Sequence, residues 1–81
     1  MEKIIELKST VGLHASLASK LVQSASKYDA DVTLVYKDKV VDAKSILGLM
    51  SLAVPSGEDV KIIAEGAQAD LALKDIEKIL G

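Results

Sequence analysis

The chain contains no cysteine, no arginine, no phenylalanine and no tryptophan, and it has one histidine and one proline among 81 residues. Without cysteine it has no disulfide framework, no thiolate chemistry and no cysteine-based metal site. One histidine with scattered carboxylates argues against a zinc site. A net charge of −2 without arginine argues against nucleic-acid binding, which needs a concentrated basic face. We therefore expect no metal, no cofactor and no nucleic-acid partner.

The start of the chain and its length limit where the protein acts and how it is organised. Met1 to Glu6 carries charges where a signal peptide would be apolar, and no segment reaches membrane-spanning length. We therefore predict a cytoplasmic protein without membrane insertion. A chain of 81 residues predicts a single domain, residues 1–81, and we expect it to be a monomer. The apolar content of 49% is sufficient for a core, which is built almost wholly from aliphatic side chains.

Apolar periodicity predicts four strands and three helices in the order βαββαβα. The predicted strands are 3–8, 32–36, 40–43 and 60–64, and the predicted helices are 16–27, a short helix from 46 that ends by Pro55, and 71–80. If the hairpin turn at 37–39 requires a positive φ, Asp38 is a tolerable but weaker choice than glycine. This pattern predicts an α+β fold, an open-faced sandwich whose four-stranded antiparallel sheet is covered on one face by three helices.

The only histidine, His14, lies where a strand and a turn give way to an apolar-periodic helix. The first turn of a helix has N–H groups without internal partners and the positive end of the helix dipole. The backbone N–H groups of Ala15, Ser16 and Leu17 are therefore candidates to hold an anion beside the imidazole. This placement suits a histidine that accepts a phosphoryl group and passes it on. A histidine there can also simply cap the helix or pack near its start.

Four stretches follow one another at a family's spacing: Gly12-Leu13-His14-Ala15, Leu21 to Tyr28, Ala43 to Leu52, and Ala64-Glu65-Gly66. With the element order, they resemble the HPr family, the histidine-containing phosphocarriers of the bacterial phosphoenolpyruvate–sugar phosphotransferase system. The resemblance implies an HPr-like fold and a carrier rather than a stand-alone enzyme. It implies that His14 takes phosphate from enzyme I, on Nδ1 of the ring, and passes it to IIA domains of sugar permeases.

The resemblance also implies a regulatory and a docking surface. Ser45 matches a serine phosphorylated by HPr kinase/phosphorylase, a modification that would involve a catabolite-control regulator. As a helix N-cap, Ser45 would also stabilise the fold by about 1 kcal/mol, and the two roles are compatible. Leu47 and Met50 match an apolar docking patch. Helical spacing places them on a different side from Ile46, Leu49 and Ala53, so we predict that Leu47 and Met50 are partly exposed. Lys20 and Lys44 are further docking candidates.

The chain departs from the family where the active-site loop normally reads Gly-Leu-His-Ala-Arg-Pro-Ala, because Ser16 and Leu17 replace the arginine and proline. An arginine supplies a fork of donors and a permanent charge. Its absence is expected to cost several kcal/mol of transition-state stabilisation, and Lys20 offers only a flexible point charge. Three interpretations stay open: a divergent carrier, a regulatory paralogue resembling Crh, and a docking module that acts through Ser45, Leu47 and Met50 with weak or no transfer.

Overall fold

Seven elements follow one another in the predicted order βαββαβα, and the computed structural model describes residues 1–81. The elements are β1 (Glu2–Glu6), α1 (Ala15–Lys27), β2 (Asp31–Tyr36), β3 (Lys39–Asp42), α2 (Ile46–Ser51), β4 (Asp59–Glu65) and α3 (Ala69–Leu80). The predicted element order is confirmed. No helix combines the length and the apolar character that a membrane crossing requires.

The four strands form one antiparallel sheet in the order β1-β4-β2-β3. Side chains alternate between the two faces of a strand, and the inward row contains Ile5, Leu34 and Ile62, all buried. The three helices cover this inward face, where 23 buried residues form a single hydrophobic cluster. The predicted open-faced α+β sandwich is therefore confirmed, and its second sheet face is free of helices.

One buried polar contact, which the sequence analysis did not identify, joins α1 to α3. Ser24 is 4% exposed, and its Oγ donates a hydrogen bond to Oδ2 of Asp75 at 2.7 Å. A buried hydroxyl without a partner would be destabilising, so this bond makes Ser24 compatible with a helix face that is otherwise apolar. It ties α3 to α1, the helix that follows His14.

One local prediction was wrong, and one side of α2 is less buried than the other elements that cover the sheet. The hairpin turn is one residue shorter than predicted, because Lys39 pairs with Tyr36, and its positive φ of 56° lies at Lys37. In α2, Leu49 is fully buried, but Ile46 is 40% exposed and Ala53 is exposed. The helix ends at Ser51, and Ala53 adopts φ 50° in the following loop, so it does not continue the inward face.

Candidate active site

The loop between β1 and α1 is held against the segment that follows α2. The N–H of Leu13 donates to the carbonyl of Val54 at 2.9 Å. Gly12 adopts φ +76°, and a Cβ at this position would lie 2.4 Å from the same carbonyl oxygen. Glycine is required at this position both for its positive φ and for the close approach of the two backbones. This contact fixes the backbone two residues before His14.

His14 is the N-cap residue of α1, with extended dihedral angles of φ −103° and ψ 176°. Its carbonyl accepts the first hydrogen bond of the helix from Ala18 N–H at 2.8 Å. Its side chain makes no capping hydrogen bond and takes part in no salt bridge. The imidazole is half-buried. The backbone of His14 therefore starts the helix, whereas the ring is not used as a cap and keeps its nitrogens for other partners.

Three backbone donors follow His14 at the start of α1. The N–H groups of Ala15, Ser16 and Leu17 precede the first intrahelical donor, Ala18, and no acidic residue lies in this first turn. Such a helix end attracts an anion through its free donors and its dipole. Ala15 and Ser16 are exposed, whereas the side chain of Leu17 is buried. Leu17, which stands at the family's proline position, thus contributes to the core. The anion-holding role of the three N–H groups remains a prediction.

The exposed side of α2 carries the apolar residues predicted for docking. Leu47 is 80% exposed and Met50 is 44% exposed, while Leu49 between them is fully buried. Their predicted exposure is confirmed, whereas their docking role remains a prediction. We call Ile46, Leu47 and Met50 the α2 patch. Val11, which is 71% exposed and lies three residues before His14, was not among the predicted residues. The one sequence signal that could have identified it is an aliphatic side chain directly after the polar Ser9 and Thr10.

Ser45 caps α2, as predicted. Its Oγ accepts a hydrogen bond from the N–H of Gly48 at 3.1 Å, and the residue is exposed. The backbone before it is fixed as well, because Asp42 accepts hydrogen bonds from the N–H groups of Lys44 and Ser45. The hydroxyl of Ser45 thus caps α2 and is at the same time accessible from solvent. Its phosphorylation remains a prediction.

We expect Ser45→Ala to lower the free energy of unfolding by about 1 kcal/mol, because the N–H of Gly48 loses its partner. Ser45→Asp should retain most of the native stability, since a carboxylate caps the same donor. Equilibrium urea unfolding measures both. Ser51→Ala is the matched control: its hydroxyl donates to the carbonyl of Gly48 at 2.7 Å but caps no helix start. Equal losses for Ser45→Ala and Ser51→Ala would contradict the capping role.

The two lysines predicted for docking are exposed but lie in different places. Lys20 lines a groove of about 240 Å³ between α1 and α3, together with Lys27 and Asp75. It is six residues from His14, which corresponds to about 9 Å along the helix axis. Lys44 immediately precedes Ser45. The structure therefore places Lys44 beside the α2 cap and Lys20 in the α1–α3 groove, and their docking roles remain predictions.

Comparison with known proteins agrees with this geometry. The family model described as PTS HPr component phosphorylation site matches residues 1–81. HPr-C-His from Thermoanaerobacter tengcongensis is 41% identical over 99% of this chain and 90% of its own, with a TM-score of 0.94. The phosphocarrier protein HPr from Bacillus anthracis is 34% identical over 100% and 96%, with a TM-score of 0.95. Crh from Bacillus subtilis, a catabolite-repression protein seen as a domain-swapped dimer, is 41% identical over 93% and 86%, with a TM-score of 0.78.

An open-faced sandwich that presents a histidine at the start of its first helix, with these relatives, defines a phosphocarrier of the phosphotransferase system rather than a stand-alone enzyme. The chain belongs to the HPr family. Because one of these relatives was crystallised as a swapped dimer, the monomeric state of this chain remains a prediction.

Proposed function

We propose that His14 accepts a phosphoryl group from enzyme I and passes it to IIA domains of sugar permeases. The observation that carries the proposal is the placement of the His14 ring. It belongs to the N-cap residue of α1, makes no capping bond and is followed by three backbone N–H groups without helical acceptors. This arrangement combines a nucleophile with a neutral anion site, which is what a transient phosphoryl carrier needs.

In the proposed reaction a lone pair of the neutral His14 imidazole attacks the phosphorus atom. The bond between phosphorus and the donor atom breaks, and its electron pair returns to the donor. In the second step the acceptor attacks the same phosphorus, and the electron pair of the P–N bond returns to the ring. By family resemblance the reacting nitrogen is Nδ1. Neither step needs a second covalent group on this chain, because phosphoryl transfer depends mainly on in-line placement and charge stabilisation.

The first turn of α1 must supply this stabilisation with few charges of its own. Ser16 is exposed and contributes a neutral hydroxyl where the family has a guanidinium. The N–H groups of Ala15, Ser16 and Leu17 then carry most of the interaction with the phosphoryl oxygens. We infer a carrier whose transfer is slower than that of arginine-containing relatives, or more dependent on positive charge from its partners.

The proposal includes regulation at Ser45 by an HPr kinase/phosphorylase, with a catabolite-control regulator as the reader. Ser45 is exposed, and its Oγ already lies at the N-terminal end of α2, where a phosphate is electrostatically favoured. Phosphorylation would add about two negative charges directly beside Ile46 and Leu47 of the α2 patch. We therefore expect it to change which partners bind this patch while leaving the fold intact.

A second candidate function is a docking module of the Crh type, which acts through Ser45 and the α2 patch with weak or no transfer. The 80% exposure of Leu47 favours it, whereas the 41% identity to Crh is equalled by that to HPr-C-His and favours neither candidate. The two candidates make different predictions for His14: substitution of His14 should abolish transfer in a carrier but leave partner binding unchanged in a docking module.

Incubation with enzyme I and phosphoenolpyruvate, followed by intact mass spectrometry and an acid-lability test, distinguishes the two. A carrier should gain one acid-labile phosphoryl group within seconds, His14→Ala should gain none, and the group should pass to a IIA domain. Circular dichroism of His14→Ala verifies that the variant is folded. An adduct that forms only over hours, or none at all, would exclude the carrier and make the docking module the leading candidate function.

A further inference from the structure

The helix-free face of the sheet is formed by outward-facing residues of the four strands and does not include His14. Strand pairing places Ile4 opposite Lys61, Lys61 opposite Val35, and Val35 opposite Val40. Ile63 lies in the neighbouring row, opposite Thr33. These outward side chains occupy the positions between the buried ones, so they form one continuous surface across all four strands. We call this surface the open face.

The centre of the open face is apolar. Ile4 and Val40 are each 66% exposed, and Val35 and Ile63 are half-buried. The charge of Lys61, the one lysine between them, is countered by Glu2 at 3.1 Å. The row from Ile4 to Val40 covers three strand spacings, about 14 Å, which is the length of roughly nine residues of helix. This cluster of aliphatic residues is large enough to contact a short amphipathic segment of a partner.

Carboxylates surround this apolar centre. The outward positions of the strands include six acidic residues: Glu2, Glu6, Asp31, Asp42, Asp59 and Glu65. Only two lysines lie on this face, Lys61 in β4 and Lys37 directly after β2, where it lines a shallow pocket with Ile4 and Val35. Because the chain has 12 acidic residues and 10 lysines, the rest of the molecule has six acidic residues and eight lysines. The open face is therefore strongly negative on a molecule that is otherwise slightly positive.

Two of the cross-strand pairs on this face work against the stability of the sheet. Glu6 lies opposite Asp59, and Asp31 lies opposite Glu65. Directly opposed like charges are destabilising, and the ion pairs of the molecule, Lys3–Glu77 and Lys61–Glu2, neutralise none of these four carboxylates. A cationic partner would relieve both repulsions at once.

We propose that the open face binds a basic amphipathic segment of a protein partner, with lysine or arginine side chains against the carboxylate ring and aliphatic side chains against Ile4, Val35, Val40 and Ile63. Anionic nucleic acids and anionic lipid surfaces have the wrong charge for this face. A second copy would set one negative face against another. The binding surface is separate from the α2 patch and needs no phosphoryl group on His14.

The probe is a synthetic 14-residue peptide of leucine and lysine at amphipathic-helix spacing, titrated into the isotope-labelled protein while amide shifts are followed. We expect shifts confined to β1, β2, β3 and β4, and weaker binding at higher salt. A peptide of equal charge with serine in place of leucine should bind more weakly. His14→Ala should bind the probe as the native chain does, so failure of the carrier function would not affect this test.

Two double variants separate the contributions of charge and apolar contact. Glu6→Lys with Glu65→Lys should weaken binding by at least about tenfold, because it replaces two repulsive pairs by attractive ones across the sheet and reverses part of the ring. The same variant should raise the melting temperature. If Glu6 and Glu65 had only a structural role, this gain in stability would not be accompanied by weaker binding. Ile4→Thr with Val40→Thr removes apolar contact and should also weaken binding.

Asp70→Lys, an exposed substitution on α3, is the control for a change of charge outside the open face; it changes the net charge half as much as the double lysine variant and should bind the peptide nearly as the native chain does. Three results would overturn the proposal. One is binding that maps to α1, α2 or α3. Another is equal affinity in the native chain and both double variants. The third is a concentration-dependent dimer in sedimentation that the open-face variants abolish, because the occupant would then be a second copy.

Discussion

Gly12→Ala is expected to lower the free energy of unfolding by about 3 kcal/mol or more and to slow phosphorylation of His14. Two costs add: an L-residue at φ +76° costs about 1–2 kcal/mol, and the new Cβ would lie 2.4 Å from the Val54 carbonyl oxygen. The backbone on one side must move, which breaks the hydrogen bond from Leu13 to that oxygen. A domain of this size has a total stability of roughly 4–12 kcal/mol, so the loss is a large share.

Gly57→Ala separates the two costs. Gly57 has φ +86°, but a Cβ there would meet nothing within 4 Å, so only the conformational cost of about 1–2 kcal/mol applies. Urea unfolding of both variants gives the difference that is due to the clash. The initial rate of phosphorylation of the folded protein then reports whether the loop still positions His14. Equal destabilisation by the two substitutions would show that the contact between Gly12 and Val54 is not needed for the loop.

Local periodicity predicts the elements of this fold because each buried face repeats regularly. Ile5 in β1 and Leu7 directly after it are buried as their spacing predicts, and so are Leu17, Leu21 and Ala25 on one side of α1. The errors lie where chain direction changes. The positive φ of Lys37 depends on strand register, and that of Ala53 on how the loop after α2 returns to Gly12. Neither is encoded in the spacing of apolar residues.

The candidate site was predictable in part because apolar periodicity also indicates where helices begin. His14 and Ser45 were predicted as residues at helix starts, and both are N-cap residues. Val11 and the Ser24–Asp75 bond were missed, because a lone aliphatic residue in a loop and a polar residue in an apolar face need the tertiary contacts to be interpreted. The opposed carboxylates of the open face emerge only when the strand register is known.

Ser16→Arg is expected to accelerate phosphoryl transfer through His14 by about tenfold to a hundredfold. Removing one donor aimed at a transition state typically costs at least about a hundredfold, and a guanidinium restores both donors and charge. Ser16 is exposed in the first turn of α1, and no acidic residue there would compete for the new side chain. The buried Leu17 is left unchanged, so the core should be unaffected. Rapid-quench measurement of phosphorylation by enzyme I gives the rate.

Ser16→Lys and Ser16→Gln separate charge from hydrogen-bond geometry. The lysine variant adds a flexible point charge and should give a smaller gain than arginine, whereas the neutral glutamine should change little. At high salt the lysine effect should shrink more than the arginine effect, because a fork of donors at short range is less screened than a mobile surface charge. If arginine gives no gain, the backbone donors of α1, or a cation from the partner, already provide the stabilisation. Ser16 would then be no impediment to the carrier function of this chain.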